Sequence, residues 1–329
     1  MANIFRYVGI GKETTFGGAV DGTIFLDPSS CSLDSPQNPE IVVEGGMGRM
    51  AARKRPGFYA CSGGVTYPVD INSMGYLMRG ALDQYAFTAG DPNNTHEFYG
   101  GNLNVLPSWT YRLGKDVHEQ YFTGCMINSL KLSVSDNLAT ASVDLLGRRD
   151  YSTTLKDYSQ FADLIPTAYP LAFYDVTATV NDVDSSAICR SAEISINNNL
   201  GKDSGRGLGS MHPATFKAGT RLVEITMELQ FDDLKHQTLF WGSADGPSCD
   251  GSTLFPLCLE FDGGTDGEME MSMPNCMMNS ITTQPSGREV LYQSVICTAL
   301  MAEDVALADA STVNTDILVT LLNAGATLA

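Results

Sequence analysis

Four histidines, eight cysteines and a few glycine-rich turns are the places where this 329-residue sequence could carry chemistry. His96, His118, His212 and His236 show neither HExxH nor HxxxH spacing, so a zinc hydrolase has no scaffold here. His96 precedes Glu97 and His118 precedes Glu119, but neighbours on a strand point to opposite faces. Neither pair is therefore preset for proton transfer, and both histidines read as surface residues. Cys31, Cys61, Cys125, Cys189, Cys249, Cys258, Cys276 and Cys297 make no CxxC pair, which argues against zinc-ribbon or thioredoxin-like chemistry. They read as reduced, mostly buried small hydrophobes. Gly9-Ile10-Gly11-Lys12-Glu13-Thr14 hints at a phosphate loop, yet its glycine spacing is wrong and Glu follows the lysine. The acidic turn Asp262-Gly263-Gly264-Thr265-Asp266-Gly267-Glu268 lacks the order of a calcium-binding EF-hand and reads as solvated. No GxSxG elbow occurs. The expectation is a protein with no catalytic residues, no cofactor and no metal.

Composition narrows the partners. The net charge is -18 and the pI about 4.4, which suits a chain that repels nucleic acid rather than gripping it. Repulsion remains useful where DNA must pass without sticking. Met1 to Gly18 does not read as a secretory signal, and no run of about 18 apolar residues could span a membrane. Abundant glycine with 43% hydrophobic residues points to a globular chain of short strands joined by many turns.

An internal echo organises the rest. Cys125-Met126-Ile127-Asn128-Ser129 recurs as Cys276-Met277-Met278-Asn279-Ser280, and Gly46-Met47-Gly48-Arg49-Met50 recurs as Gly207-Leu208-Gly209-Ser210-Met211. Val65, Tyr67 and Val69 then align with Met227, Leu229 and Phe231, and Leu77 and Gly80 with Leu239 and Gly242. A period this long implies two tandem domains, 1–160 with an N-terminal arm and 161–329 with a C-terminal segment. Strict alternation from Arg221 to Phe231 predicts a strand with Val223, Ile225, Met227, Leu229 and Phe231 on the core. Its polar face carries Glu224, Thr226, Glu228 and Gln230. Further strands are expected at Ser129–Ser135, Thr140–Leu146, Ala187–Asn197 and Val290–Leu300. Met74, Leu77, Met78, Ala81, Leu82 and Tyr85 predict a helix capped by Asn72, with a weaker counterpart at Leu234–Trp241. Ile317 to Leu322 reads as a strand or short helix. Glycine-rich stretches at Glu44–Gly57 and Asn199–Gly219 predict extended loops or open hairpins, the first carrying the basic group Arg49, Arg53, Lys54 and Arg55.

The opening Tyr7-Val8-Gly9-Ile10-Gly11-Lys12-Glu13-Thr14-Thr15-Phe16-Gly17-Gly18-Ala19-Val20 resembles the start of phage tail tube proteins. The resemblance implies a mainly β fold: a duplicated β-sandwich or barrel with a short flanking α-helix in each copy, of the kind found in long non-contractile tails. It also implies a structural virion protein, assembled in the host cytoplasm and located in the tail. Three chains would form a pseudo-hexameric ring, and rings would stack into a channel for DNA. Partners would be further copies of the chain, the tape-measure protein, the terminator or tip proteins and passing DNA, with no membrane. Assembly contacts would fall on Gly46, Gly48, Arg49, Arg53, Lys54, Arg55, Gly207, Gly209 and Lys217. The face of Glu224, Thr226, Glu228 and Gln230 would line the lumen. Rival readings are a capsid decoration or tail-tip protein and a carbohydrate-binding adhesin; the latter would depend on Trp109 and Trp241 as aromatic platforms. An esterase-like enzyme is the weakest alternative.

Overall fold

In the computed structural model, the structure describes residues 6–36, 40–43, 53–102, 105–249, 251–283 and 290–325. The protein is mainly β, and its pairings are antiparallel throughout. Val223, Ile225, Met227 and Leu229 are buried in the Leu222–Gln230 strand, while the intervening side chains are only partly covered. The alternation thus sets the buried face.

A continuous run of strands crosses both halves of the chain. It starts with Ser30–Cys31, Cys61–Pro68 and Thr140–Gly147, followed by the second half of His118–Val134. It continues through Cys189–Asn197, Leu222–Gln230 and Tyr292–Leu300 to the second half of Glu268–Thr283. The two long strands each serve two regions. Residues 118–125 pair with Trp109–Lys115 and, over 119–123, with Arg149–Thr153; residues 268–276 pair with Phe255–Asp262 and, over 268–272, with Leu318–Asn323. Leu318–Asn323 also pairs with Asn94–Tyr99, which stitches the C-terminal segment to the first half.

The Cys-Met-x-Asn-Ser motif performs the same task twice. The register breaks between Ile127 and Ser129 in one strand and between Met278 and Ser280 in the other, so a bulge falls on Asn128 and on Asn279. A bulge bends a strand and re-aims the residues beyond it, which lets one long strand turn between two regions of sheet. The neighbouring registers agree as well: Val65 faces Val143 as Met227 faces Val295. One hydrophobic core runs under both halves, from Val65, Tyr67 and Leu77 to Ile225, Met271 and Val295.

The first helix, Ile71–Ala81, begins before its expected cap. Asp70, not Asn72, is the N-cap: its carboxylate accepts the Ser73 N–H at 2.9 Å, and the Ser73 hydroxyl returns to the Asp70 N–H. This early start carries Ile71 into the core. The helix stops at Leu82, in extended conformation, so Tyr85 belongs to the strand Gln84–Thr88. The second helix spans Lys235–Trp241 and ends at Gly242, whose φ of 72° gives a left-handed C-terminus. The C-terminal apolar run forms the strand Leu318–Asn323.

His96 departs from its surface assignment. The strand Asn94–Tyr99 is paired on both sides and covered on both faces, so His96 and Glu97 are buried together. The His96 ring accepts or donates one hydrogen bond with the Tyr85 hydroxyl at 2.9 Å. Among the cysteines, Cys61, Cys125, Cys276 and Cys297 are buried, whereas Cys31 and Cys249 are exposed.

Candidate assembly surfaces and the polar sites behind them

The Gly-Lys-Glu stretch is structural where it resembled a phosphate loop. Val8–Lys12 is a strand, and a Cβ at Gly11 would sit 2.1 Å from the Asp21 carbonyl oxygen. Glu13, just beyond it, is buried and accepts four hydrogen bonds. Gly17 N–H and the Ser108 hydroxyl donate to Oε2 at 2.7 and 2.8 Å, while the Thr110 hydroxyl and Gly124 N–H donate to Oε1 at 2.9 and 2.8 Å. The carboxylate therefore clamps the opening turn to the Trp109–Lys115 strand and to the middle of His118–Val134. Gly17 and Gly124 have φ of 79° and 63°, and both lie against Arg148. A side chain at either would be strained and crowded.

A second polar cluster superficially resembles a catalytic site. Asp150 accepts hydrogen bonds from the Ser35 hydroxyl and the Gln120 amide, each at 2.7 Å, and from the Tyr59 hydroxyl, with the Cys61 thiol at 3.7 Å. Burial pushes the Cys61 thiol well above its usual range, and the Asp150 carboxylate adds to the effect. That shift favours the neutral thiol over the thiolate. Burial would raise the Asp150 carboxyl, but hydrogen bonds from Ser35, Tyr59 and Gln120 outweigh it and hold the group below the ordinary carboxylate range. Tyr59 is pushed up to about 12 by burial and by its bond to Asp150. Two limits to stability follow from linkage. The Asp150 contribution is present above the unfolded carboxylate range near pH 4 and is lost as pH falls through the lower folded value. The Tyr59 contribution is present below about pH 10 and is lost as pH rises from there through about 12. Denaturant midpoints measured across pH should therefore fall less steeply at both extremes in Asp150→Asn than in the parent chain; parallel curves would contradict this assignment.

The structure places Glu224, Thr226, Glu228 and Gln230 on one face of the continuous sheet. Thr226 pairs with Glu193, and Glu228 with Ser191 and Ser294. Glu193 is held by Lys131 at 2.8 Å, and Glu228 by Arg190 at 3.7 Å. Ser62 and Thr66 of the first half share this face with Ser142 and Lys131, which pair across the same sheet. The result is a broad surface of hydroxyls and carboxylates with few cations. Among the described residues no group of three side chains suited to a metal ion occurs.

The two glycine-rich stretches differ. Arg53–Pro56 is a strand paired with Glu40–Val43, so the basic residues Arg53, Lys54 and Arg55 stand on a hairpin arm. Gly46, Gly48 and Arg49 lie outside the described residues. The Asn199–Gly219 loop does not simply reach outward. Phe216 is fully buried against Ala60, Leu106 and Met126 of the first half, and Tyr59 N–H donates to the Met211 carbonyl at 2.7 Å. The base of the loop is thus tied to its own chain. Its tip has open space: a Cβ added at Gly207 or Gly209 would meet nothing within 4 Å, and Leu208 is fully exposed. Lys217 is exposed beside the anchored Phe216.

Sequence reading missed Glu13 and Asp150 as organising groups, and also Arg221. Arg221 makes a bidentate bond to Asp316 at 2.9 and 3.0 Å and reaches Asp83 at 3.2 Å. No local pattern marks these residues, because apart from Gly17, four residues from Glu13, their partners lie 30 or more residues away in sequence. No helix among the described residues is long and apolar enough to cross a membrane. A search of curated proteins finds no match to the chain. The family model described as phage tail tube protein matches residues 6–282, from the Glu13 turn through both bulged strands, and the chain belongs to the phage tail tube protein family.

Proposed function

We propose that three copies of this chain close into a ring with pseudo-sixfold symmetry, and that rings stack into a tube through which DNA enters the host. Each half, 1–160 and 161–329, would supply one of six similar lobes. Membership of the family supports a structural role in the virion tail. The observation that carries the ring is the seam between the two halves. Ser129–Val134, just past the Asn128 bulge, pairs with Ala192–Asn197 of the second half. Past the Asn279 bulge, Ser280–Thr283 is the counterpart of Ser129–Leu132, and among the described residues no strand pairs with its other side. The counterpart of Ala192–Ser195 is Cys31–Asp34: Cys31 faces Val65 as Ala192 faces Met227, and Asp34 bridges to Ser62 as Ser195 pairs with Glu224. Among the described residues no strand pairs with its outer side either. A seam already made once inside the chain can be repeated between chains, and closure removes both sheet edges.

In such a ring the face bearing Glu224, Thr226, Glu228 and Gln230 turns to the lumen. Carboxylates there repel phosphates within a Debye length of about 8–10 Å, and hydroxyls offer no fixed cation for DNA to hold. The tape-measure protein would fill the lumen before DNA does, with terminator and tip proteins at the tube ends. Negative-stain microscopy over a concentration series tests the ring, with hydrogen exchange on the assembled and dissociated protein. The expected result is six-lobed rings of three chains, with the edges at Leu33–Ser35 and Ser280–Thr283 exchanging more slowly on assembly. A monodisperse monomer at every concentration would sink the ring, and unchanged exchange at those edges would sink the seam.

A further inference from the structure

Leu171–Phe173, in the segment joining the halves, closes one end of the first-half core, and the second half has the same end without a cover. We propose that residues 1–5 of a second copy lie there, so that each chain seals the second half of its neighbour in the ring. The inference rests on the ring reading and names a segment that one chain gives to the next.

The first-half seal is built from main-chain bonds. Leu171 N–H donates to the Val69 carbonyl, and Ala139 N–H donates to the Leu171 carbonyl, each at 2.8 Å. Ala172 pairs antiparallel with Leu138, and Phe173 N–H donates to the Asn137 carbonyl at 3.0 Å. Leu171, Val69 and Ala139 are all buried. In the second half Phe231 and Leu291 stand where Val69 and Ala139 stand. Phe231 N–H donates to the Leu291 carbonyl at 2.9 Å, as Val69 N–H does to the Ala139 carbonyl at 3.0 Å. Among the described residues nothing takes the place of Leu171. No backbone group there bonds the Phe231 carbonyl or the Leu291 N–H, both residues are only partly covered, and Val290 is 57% exposed. Gln293, two positions along from Leu291, is buried, and neither end of its amide has a partner among the described residues. Its first-half counterpart is Ala141, which needs none. A buried amide without partners is costly, so this end of the core is incomplete in a single copy.

Register identifies the missing cover. Val180 pairs with Leu257, which pairs with Met273, three residues before Cys276. Ile10 pairs with Tyr111, which pairs with Phe122, three residues before Cys125. Val8–Lys12 is therefore the first-half counterpart of the strand Val176–Val180, and positions 1–3 correspond to Leu171–Phe173. Met1-Ala2 matches Leu171-Ala172 in kind, an apolar side chain followed by the same alanine.

The grooves beside these strands correspond too. Ala178, Ala192 and Leu259 line one of about 400 Å3, with Val134 of the first half as a wall. Val8, Cys31 and Leu113 line the other, of about 420 Å3, and Arg6 borders it. The chain thus enters the first half beside Cys31–Asp34, at the opposite edge of the sheet from the strand Ser129–Val134 that carries its own second half. In the ring it is a neighbour's second half that meets this edge. Addition of an extended segment suits such a place, because main-chain bonds supply affinity without matched side chains.

Two measurements test this on the full chain. Leu138 and Ala172 are directly opposed, with Cα atoms about 4.5 Å apart and within disulfide reach. Leu138→Cys with Ala172→Cys should therefore oxidise under oxidised glutathione to a bond within one chain. Val290→Cys with Ala2→Cys, the corresponding pair, should form a bond between chains, mapped by mass spectrometry and present only in assembled protein. A bond of 2 to 290 within one chain, or none in rings that form normally, would overturn the proposal and leave the ring reading standing. A variant lacking residues 2–5 should keep the denaturant midpoint of the dissociated parent chain. It should need about tenfold higher concentration to form rings, the loss expected when two main-chain bonds and an apolar contact are removed. Rings at the parent's concentration would overturn the seal. A parent chain that forms no rings at any concentration would instead overturn the ring reading and this contact with it.

Discussion

Glu13→Ala should destabilise the protein by about 3–5 kcal/mol, a large part of the stability of an ordinary domain. The carboxylate accepts from two backbone N–H groups, Gly17 and Gly124, and from two hydroxyls, Ser108 and Thr110. The hydroxyls can rotate toward other acceptors. The two backbone donors cannot, and each buried N–H left without a partner costs about 1–3 kcal/mol. Gly124 sits at φ 63° in a strand, so the backbone there cannot relax without giving up the turn of the strand around it. Glu13→Gln separates shape from chemistry. It keeps the volume but turns one acceptor oxygen into an NH2 group that confronts either Gly17 and Ser108 or Thr110 and Gly124. About 2 kcal/mol of loss is expected, because one backbone donor again loses its acceptor. Trp109 lies between Ser108 and Thr110 and is buried, so its fluorescence reports this region directly during denaturant unfolding. Unfolding midpoints unchanged in both variants would show that Glu13 is not a clamp.

What the sequence disclosed and what it hid follow one physical division. Val223, Ile225, Met227 and Leu229 were legible because one buried face imposes a period of two on a strand. The Cys-Met-x-Asn-Ser echo was legible because the same bend is needed twice, and the bulge at Asn128 and Asn279 supplies it. Family membership was legible in the Gly-Lys-Glu opening, although the reason for its glutamate was not. That reason lies in Ser108, Thr110 and Gly124, about a hundred residues away. Alternation also says nothing about which strand a strand pairs with. Ser129–Val134 and Ala192–Asn197 each read as half-buried strands, yet their pairing is what joins the halves of the sheet. The same blindness placed His96 at the surface: a single polar residue in a short strand does not reveal that Leu318–Asn323 will lie beside it. The helix cap was misplaced by local ambiguity, since Asp70 and Asn72 are both good caps and only the burial of Ile71 decides between them.

Arg221→Ala should cost about 3–5 kcal/mol, for a different reason: it strands charges instead of donors. Asp83 has a fully buried side chain and Asp316 is nearly so, and Arg221 neutralises both from a side chain that is itself mostly covered. The guanidinium also reaches the Gly101 carbonyl, and Gly101 N–H donates to Asp83 at 2.6 Å. These residues come from the end of the first helix, the end of the Asn94–Tyr99 strand, the start of Leu222–Gln230 and the entry to Leu318–Asn323. Removing the cation therefore loosens the second junction between the halves, the one that does not depend on the bulged strands. Arg221→Lys keeps the charge but loses the planar fork that grips Asp316 with two bonds, and should recover only part of the stability. The informative variant is Arg221→Met combined with Asp83→Asn and Asp316→Asn. If the loss in Arg221→Ala comes from unpaired buried carboxylates, neutralising them should restore much of it, since a buried ion pair is worth little relative to a neutral replacement of similar volume. If the triple variant is as unstable as Arg221→Ala, shape and hydrogen bonding at Gly100 and Gly101 hold the junction instead. Gly100→Ala would then be the more damaging single change, because its new Cβ would fall 1.9 Å from the guanidinium.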